Sequence, residues 1–317
     1  MRGIEVRNLS KSFSFYVSTG IFKREKRFKQ AVSNLSFTVS EGEILGLVGA
    51  NGAGKTTMVK MLAGVMKPDS GFVIIDGEDP FIRSAHFRNE VSIVLGQKGK
   101  LHPDMSILES ASVYGAMYKL SEKVSRDRII TIGKMLSLTE EDLSKQSRSL
   151  SLGQRMKGEI CLSFINQPKT VFLDEPTLGL DITSTRNIRT FLKQYCTEHS
   201  AVIILTSHDL GDIVETCSKL LIIDNGGKVF FGPISDLPKG AENDTTIRYG
   251  FNSTETIQKI KSVFPNTSID GNTAITVCQS NQTDDVLNQL FSFGKISNLK
   301  IEEKPIESII EDLIHES

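Results

Sequence analysis

The chain has 317 residues, enough for two domains, and its formal charge of −1 at pH 7 excludes the strongly basic balance of a general nucleic-acid binder. Its hydrophobic share of 39% and charged share of 24% are those of a soluble globular protein, and no apolar run approaches the roughly 18 to 20 residues that span a bilayer. Met1-Arg2-Gly3-Ile4-Glu5 lacks the apolar core of a signal peptide, and Cys161, Cys196, Cys217 and Cys278 are scattered without a CxxC pair. The expectation is a cytoplasmic protein with reduced thiols, without disulfides or a zinc site.

Residues 4 to 48 read as strands with one interruption. Ile4 to Leu9 and Leu35 to Val39 alternate in the strand manner. Between them, Ser18 to Gln30 is rich in Lys and Arg (Lys23, Arg24, Lys26, Arg27, Lys29) and reads either as a solvated loop or as a contact for anionic headgroups or an acidic partner. Ile44 to Val48 is an apolar strand, and Gly49-Ala50-Asn51-Gly52-Ala53-Gly54-Lys55-Thr56-Thr57 follows it as GxxxxGK[ST]. This is the P-loop pattern, which needs a strand, a glycine-rich loop and a helix in that order. Gly49, Asn51, Gly52, Ala53 and Gly54 would turn backbone N–H groups toward phosphate oxygens. Lys55 would bring a point charge to the β- and γ-phosphates, and Thr56 would offer its hydroxyl to Mg²⁺. A helix beginning near Lys55, with Thr56 and Thr57 next along it, points its positive end at the same phosphates.

The helical run Met58 to Val65 stops at Lys67-Pro68-Asp69-Ser70-Gly71. Phe72 to Ile75 is a strand, Asp76-Gly77 a hairpin-type turn, and Val91 to Leu95 a further strand that leads to Gln97. From about Ser106 to Ile165 the period is helical. Within it, Ser151 and Gly153 of Leu150-Ser151-Leu152-Gly153-Gln154 put a hydroxyl and backbone N–H groups at a helix start, where an ordinary serine N-cap is the simpler reading. Thr170 to Leu173, Ala201 to Thr206 and Leu220 to Ile223 are short apolar runs, as in strands buried on both faces of a parallel sheet, and a helix from about Ile182 to Cys196 joins two of them.

Two carboxylates, Asp174 and Glu175, end one apolar strand. Asp174 can orient Mg²⁺ and Glu175 can polarise a water in line with the γ-phosphate. His208 follows the next strand, at the edge of the sheet where ligands gather, and can hydrogen-bond the γ-phosphate or the attacking water. Gln97 ends a strand too and can reach Mg²⁺ or that water.

The order P-loop, Gln97, LSLGQ, Asp174-Glu175, Gly179-Leu180-Asp181 and His208 resembles the ATP-binding cassette (ABC) transporter ATPase over residues 1 to about 235. The resemblance implies an α/β P-loop NTPase fold over residues 1–236 with a helical subdomain at about 98–166. It implies ATP and Mg²⁺ as cofactors, with Lys55, Gln97, Glu175 and His208 catalytic. Thr56, Gln97 and Asp174 would attend the metal. It implies that Ser151, Gly153 and Gln154 form the signature motif facing the γ-phosphate held by the opposite subunit of a homodimer, with Asp181 across the interface. Phe13, with Tyr16 as second choice, would stack on adenine. Leu152 stands where the family usually has Gly.

Composition shifts at Leu237-Pro238-Lys239-Gly240. Beyond it, strands at Thr246 to Phe251, Thr273 to Val277 and Ile296 to Ile301 and helices at Ser253 to Phe264, Asp284 to Phe293 and Ile306 to Ile314 describe a small α+β domain, 237–317, without a catalytic cluster. A single cassette followed by such a domain resembles the ATPases of bacterial exporters. These work at the cytoplasmic face of the cell membrane with integral-membrane permease subunits in separate chains and bind no specific nucleic acid. The alternative is a soluble ABC ATPase acting on ribosomes or DNA.

Overall fold

The computed structural model describes residues 3–18, 24–95, 99–237, 244–251, 254–279, 282–303 and 306–315. They divide into two compact units, the first ending at Ser235 and the second spanning Asp236–His315.

The first unit opens with β1 (Gly3–Ser18), β2 (Arg24–Ser40), β3 (Ile44–Val48), α1 (Lys55–Leu62), β4 (Ser70–Ile75), α2 (Ala85–Glu90) and β5 (Val91–Leu95). The helical stretch follows as α3 (Ile107–Met117), α4 (Glu122–Met135), α5 (Glu140–Ser144) and α6 (Leu152–Ser163). It closes with β6 (Thr170–Asp174), α7 (Ile182–His199), β7 (Val202–Thr206), α8 (Leu210–Thr216), β8 (Lys219–Asp224) and β9 (Gly227–Pro233).

Its six-stranded sheet runs β5-β6-β7-β3-β8-β9, parallel from β5 to β8 with β9 antiparallel at the edge. The inner strands β3 and β7 are buried throughout, which matches their unbroken apolar sequences. The register aligns Leu47 with Thr206 and Asp174 with Thr206, so the C-terminal ends of β3, β6 and β7 lie side by side. A second sheet, β2-β1-β4, is antiparallel. Ile4, Val6, Leu35 and Phe37 from it share one core with Met58, Val59, Met61 and Leu62 of α1. Each of these buried α1 side chains contributes about 1.5–3 kcal/mol of burial free energy, which fixes the helix that begins at the phosphate loop.

One expectation is corrected. The basic run is not a loop where it is described: Arg24 to Gln30 continues β2 and pairs with Ser12 to Ser18 of β1 in regular antiparallel register. Lys23 lies outside the described residues. No side chain of Arg24–Gln30 is buried, so burial periodicity could not mark the strand. Backbone pairing and cross-strand neighbours hold it, with Phe13 opposite Lys29 and Phe15 opposite Arg27, and along β2 itself Lys26 Nζ lies 5.2 Å from the Phe28 ring centroid.

The second unit contains β10 (Asp244–Phe251), α9 (Thr254–Val263), β11 (Ser268–Asp270), β12 (Thr273–Gln279), α10 (Thr283–Ser292), β13 (Ile296–Glu303) and α11 (Ile306–His315). The three-residue strand β11 is too short to leave a sequence pattern. The sheet order β11-β12-β10-β13 with β-α-β-β-α-β succession is the split βαβ arrangement. Its core is Ile247, Tyr249, Phe251, Ile260, Ala274, Val286 and Leu290.

Candidate active site

The phosphate loop is seated between β2 and β8. Gly54 has φ 109°, and a Cβ there would lie 2.1 Å from the carbonyl oxygen of Ala31. At Gly49 a Cβ would lie 2.2 Å from the carbonyl oxygen of Ile223. Gly54 is the N-cap of α1 and supplies no side-chain cap, so the first-turn N–H groups of the helix keep their anion-binding capacity. Ala53 is buried beneath the loop, while Asn51, Gly52 and Thr56 are exposed and Thr57 is half-buried.

Lys55 is buried and its Nζ donates to the carbonyl oxygens of Gly49 at 2.6 Å and Ala50 at 3.2 Å. Burial pushes its ammonium below the usual lysine range, opposed by the charges of Glu175 and Asp174. Asp174, at the end of β6, holds two hydroxyls. Thr206 Oγ1 donates to Oδ1 at 2.7 Å, and Thr56 Oγ1 lies 3.5 Å from Oδ2. A hydroxyl and a carboxylate converging beside the phosphate loop are the hard oxygen donors that Mg²⁺ takes.

Glu175 adopts φ 55°, an unusual backbone for a non-glycine residue. Its N–H donates to the carbonyl oxygen and to Oγ1 of Thr206, both at 3.1 Å, and these bonds hold the turn. The carboxylate faces His208: the His208 backbone N–H donates to Oε2 at 3.0 Å, and Nε2 lies 3.3 Å from Oε1. Burial raises the Glu175 carboxyl above its ordinary range. His208, its backbone N–H and Lys55 pull the other way. A raised carboxyl suits a proton acceptor.

Lys55, Thr56, Asp174, Glu175 and His208 are thus brought together at the ends of adjacent strands. Gln97 lies outside the described residues. Phe13 is 39% exposed on the β1–β2 hairpin, with Lys11 Nζ 5.9 Å from its ring centroid. The alternation of the ladder puts Phe13 and Lys29 on one face and Tyr16 on the other.

The signature residues are engaged locally. Ser151 caps α6 in a capping box: its Oγ accepts from Gln154 N–H at 3.2 Å, and its N–H donates to Gln154 Oε1 at 2.9 Å. Gln154 Nε2 also donates to Asp142 Oδ1 at 2.7 Å. A Cβ on Gly153 would meet Ser184 Oγ at 2.5 Å, and Asp181 caps α7 through Ser184. No hydrogen bond among the described residues joins Ser151, Gly153 or Gln154 to the phosphate loop.

Two residues of the cluster were not singled out in the sequence. Thr206 is fully buried and bridges Asp174 to Glu175. The clue was a hydroxyl closing an otherwise aliphatic strand. Asp212, on α8, accepts from Thr177, from Ser207 at 3.4 Å and from Arg189 Nε at 2.7 Å. It ties the loop after Glu175 to the loop that carries His208, and nothing local in the sequence announces it.

The family description "ABC transporter" matches residues 32–178. The ABC transporter ATP-binding protein NatA of Bacillus subtilis is 30% identical over 73% of this chain and 93% of its own length. The Nod factor export ATP-binding protein I of Burkholderia lata is 33% identical over 66% of this chain and 68% of its own length. The methionine import ATP-binding protein MetN 1 of Listeria monocytogenes is 32% identical over 78% of this chain and 71% of its own length. Among solved structures, the ATP-binding cassette MJ0796, described as dimeric and bound to ADP and Pi, superposes with TM-score 0.62 at 22% identity, over 73% of this chain and 98% of that one. That likeness carries the fold.

Proposed function

The chain belongs to the ABC transporter family of ATP-binding proteins, and on that premise we propose that it hydrolyses ATP to power a separate membrane permease, in the direction of export. The observation that carries this reading is the convergence of Lys55, Thr56, Asp174, Glu175 and His208 on one edge of the parallel sheet. Thr56 and Asp174 would hold Mg²⁺, which supplies charge neutralisation on the phosphate oxygens. Lys55 exchanges its loop carbonyls for β- and γ-phosphate oxygens of ATP. Glu175, a carboxylate held above its ordinary range by burial, takes the proton from the attacking water, and His208 orients Glu175. Gln97 belongs to the same site in this reading.

Two chains complete each site. Ser151 and Gly153 have no bond to their own phosphate loop and serve that of a partner copy. The apolar side chains Leu152, Leu178 and Ile182 are 55%, 63% and 86% exposed, and Gly179 approaches Leu152 as a neighbour on that surface. Side chains of this kind gain from burial against a second copy. Among the described residues no helix is long and apolar enough to cross a membrane; in this reading the transport path belongs to a permease in another chain, with this subunit at its cytoplasmic face. The reading of export rests on the Nod factor export relative, set against a methionine import relative of similar identity; to the C-terminal unit, residues 237–317, we assign a regulatory or dimer-stabilising role.

Lys55→Ala is the test of the chemistry: turnover should fall to background, and near-normal turnover would refute the site. Affinity purification in mild detergent tests the partner. A multi-pass membrane protein should accompany this chain, whereas recovery with ribosomes or DNA would favour the soluble alternative.

A further inference from the structure

The β1–β2 hairpin brings a second cation to the phosphate loop. Lys29 Nζ lies 3.4 Å from where a Cβ would stand on Gly52, at the exposed crest of the loop. Lys55 approaches the same loop from beneath and is held by Gly49 and Ala50. The Lys29 side chain makes no hydrogen bond or ion pair with any described residue. Its direction is fixed by the ladder: Lys29 is the direct cross-strand partner of Phe13, and partners across an antiparallel pair project on the same face. The face that carries Phe13 is therefore the face turned to the phosphate loop. Lys26, three residues away, projects on the opposite face with Tyr16.

We propose that Lys29 is a further nucleotide-binding residue, a rim cation for the phosphate chain of ATP, delivered by the same hairpin that offers Phe13 to the base. This rests on the ATP-site reading above. Hairpin and loop then close on the nucleotide as one unit, with charge from Lys29 above and Lys55 below. Lys29 is exposed, so its contribution is that of a partly screened charge-assisted hydrogen bond, smaller than that of buried Lys55.

The test is ATP affinity of the full chain by calorimetry in wild type, Lys29→Ala, Lys29→Arg and Lys26→Ala. The expected result is that Lys29→Ala weakens ATP binding by about 3- to 10-fold, with a shallower salt dependence, that Lys29→Arg retains affinity, and that Lys26→Ala matches wild type. Unchanged affinity in Lys29→Ala overturns the proposal and leaves the ATP site standing. So does an equal loss in Lys26→Ala, which would mean a general field of the hairpin, or a Lys29→Arg variant as weak as Lys29→Ala. A wild-type chain that binds no ATP overturns the site and this proposal together. Thermal melting of each variant separates lost binding from lost folding.

Discussion

His208 grips Glu175 twice, through its backbone N–H to Oε2 at 3.0 Å and its imidazole Nε2 3.3 Å from Oε1. One residue therefore fixes both oxygens of the carboxylate. The two contacts hold a half-buried carboxyl, raised by desolvation, in one orientation beside His208.

Glu175→Gln should bind ATP with near-normal affinity and lose turnover by about 10²- to 10⁴-fold, because an amide keeps the hydrogen bonds and cannot accept a proton. Stalled before hydrolysis, it should sediment as a dimer with ATP and Mg²⁺. A variant that remains monomeric under those conditions would count against the two-chain site.

Thr206→Val keeps the shape of the side chain and deletes the hydroxyl that joins Asp174 to the Glu175 backbone. The cost should be about 1–3 kcal/mol of stability, read from denaturant melts, since the N–H of Glu175 keeps only the Thr206 carbonyl. Turnover should fall more than ATP affinity does. Equal loss in both would assign Thr206 to binding instead.

Lys100 gives a pH signature in the first unit. Its Nζ donates to Ser163 Oγ at 2.9 Å and Ser92 Oγ at 3.2 Å, and burial lowers its pKa to about 8 from 10.5, opposed by Glu159. Between those values the folded state binds fewer protons than the unfolded state, so its contribution to stability is complete above 10.5 and is lost as pH falls through about 8. Lys100→Met should flatten the rise in stability between about pH 8 and pH 10. Denaturation midpoints that rise equally in both proteins would exclude Lys100 as the source.

Mixing Lys55→Ala with Ser151→Arg tests the pairing of subunits. Each homodimer should be inactive. In the mixed dimer one site carries both defects and the other none, so activity should recover to at most about half per dimer. Mixed dimers shown to form and bind ATP, yet giving no turnover, would mean that both sites must fire together.

The P-loop pattern, the aliphatic run ending in Asp174-Glu175 and the apolar strand before His208 are local signals, and the sequence alone determined them. Short apolar runs of strand length separated by helical periods also dictated a parallel sheet, because such strands must be buried on both faces. The elements of the second unit were legible from strand-length alternation and helical periods, except for β11, whose three residues are too few to show a period. What only the tertiary structure decided are the partnerships between distant strands. That Glu175 faces His208, that Thr206 bridges Asp174 and Glu175, and that Asp212 ties two loops together follow from the β3, β6 and β7 register, which no local propensity encodes. The basic run shows the converse limit. Arg24–Gln30 buries no side chain and so carries no hydrophobic period, and only pairing with Ser12–Ser18 turns it into a strand that aims Lys29 at Gly52.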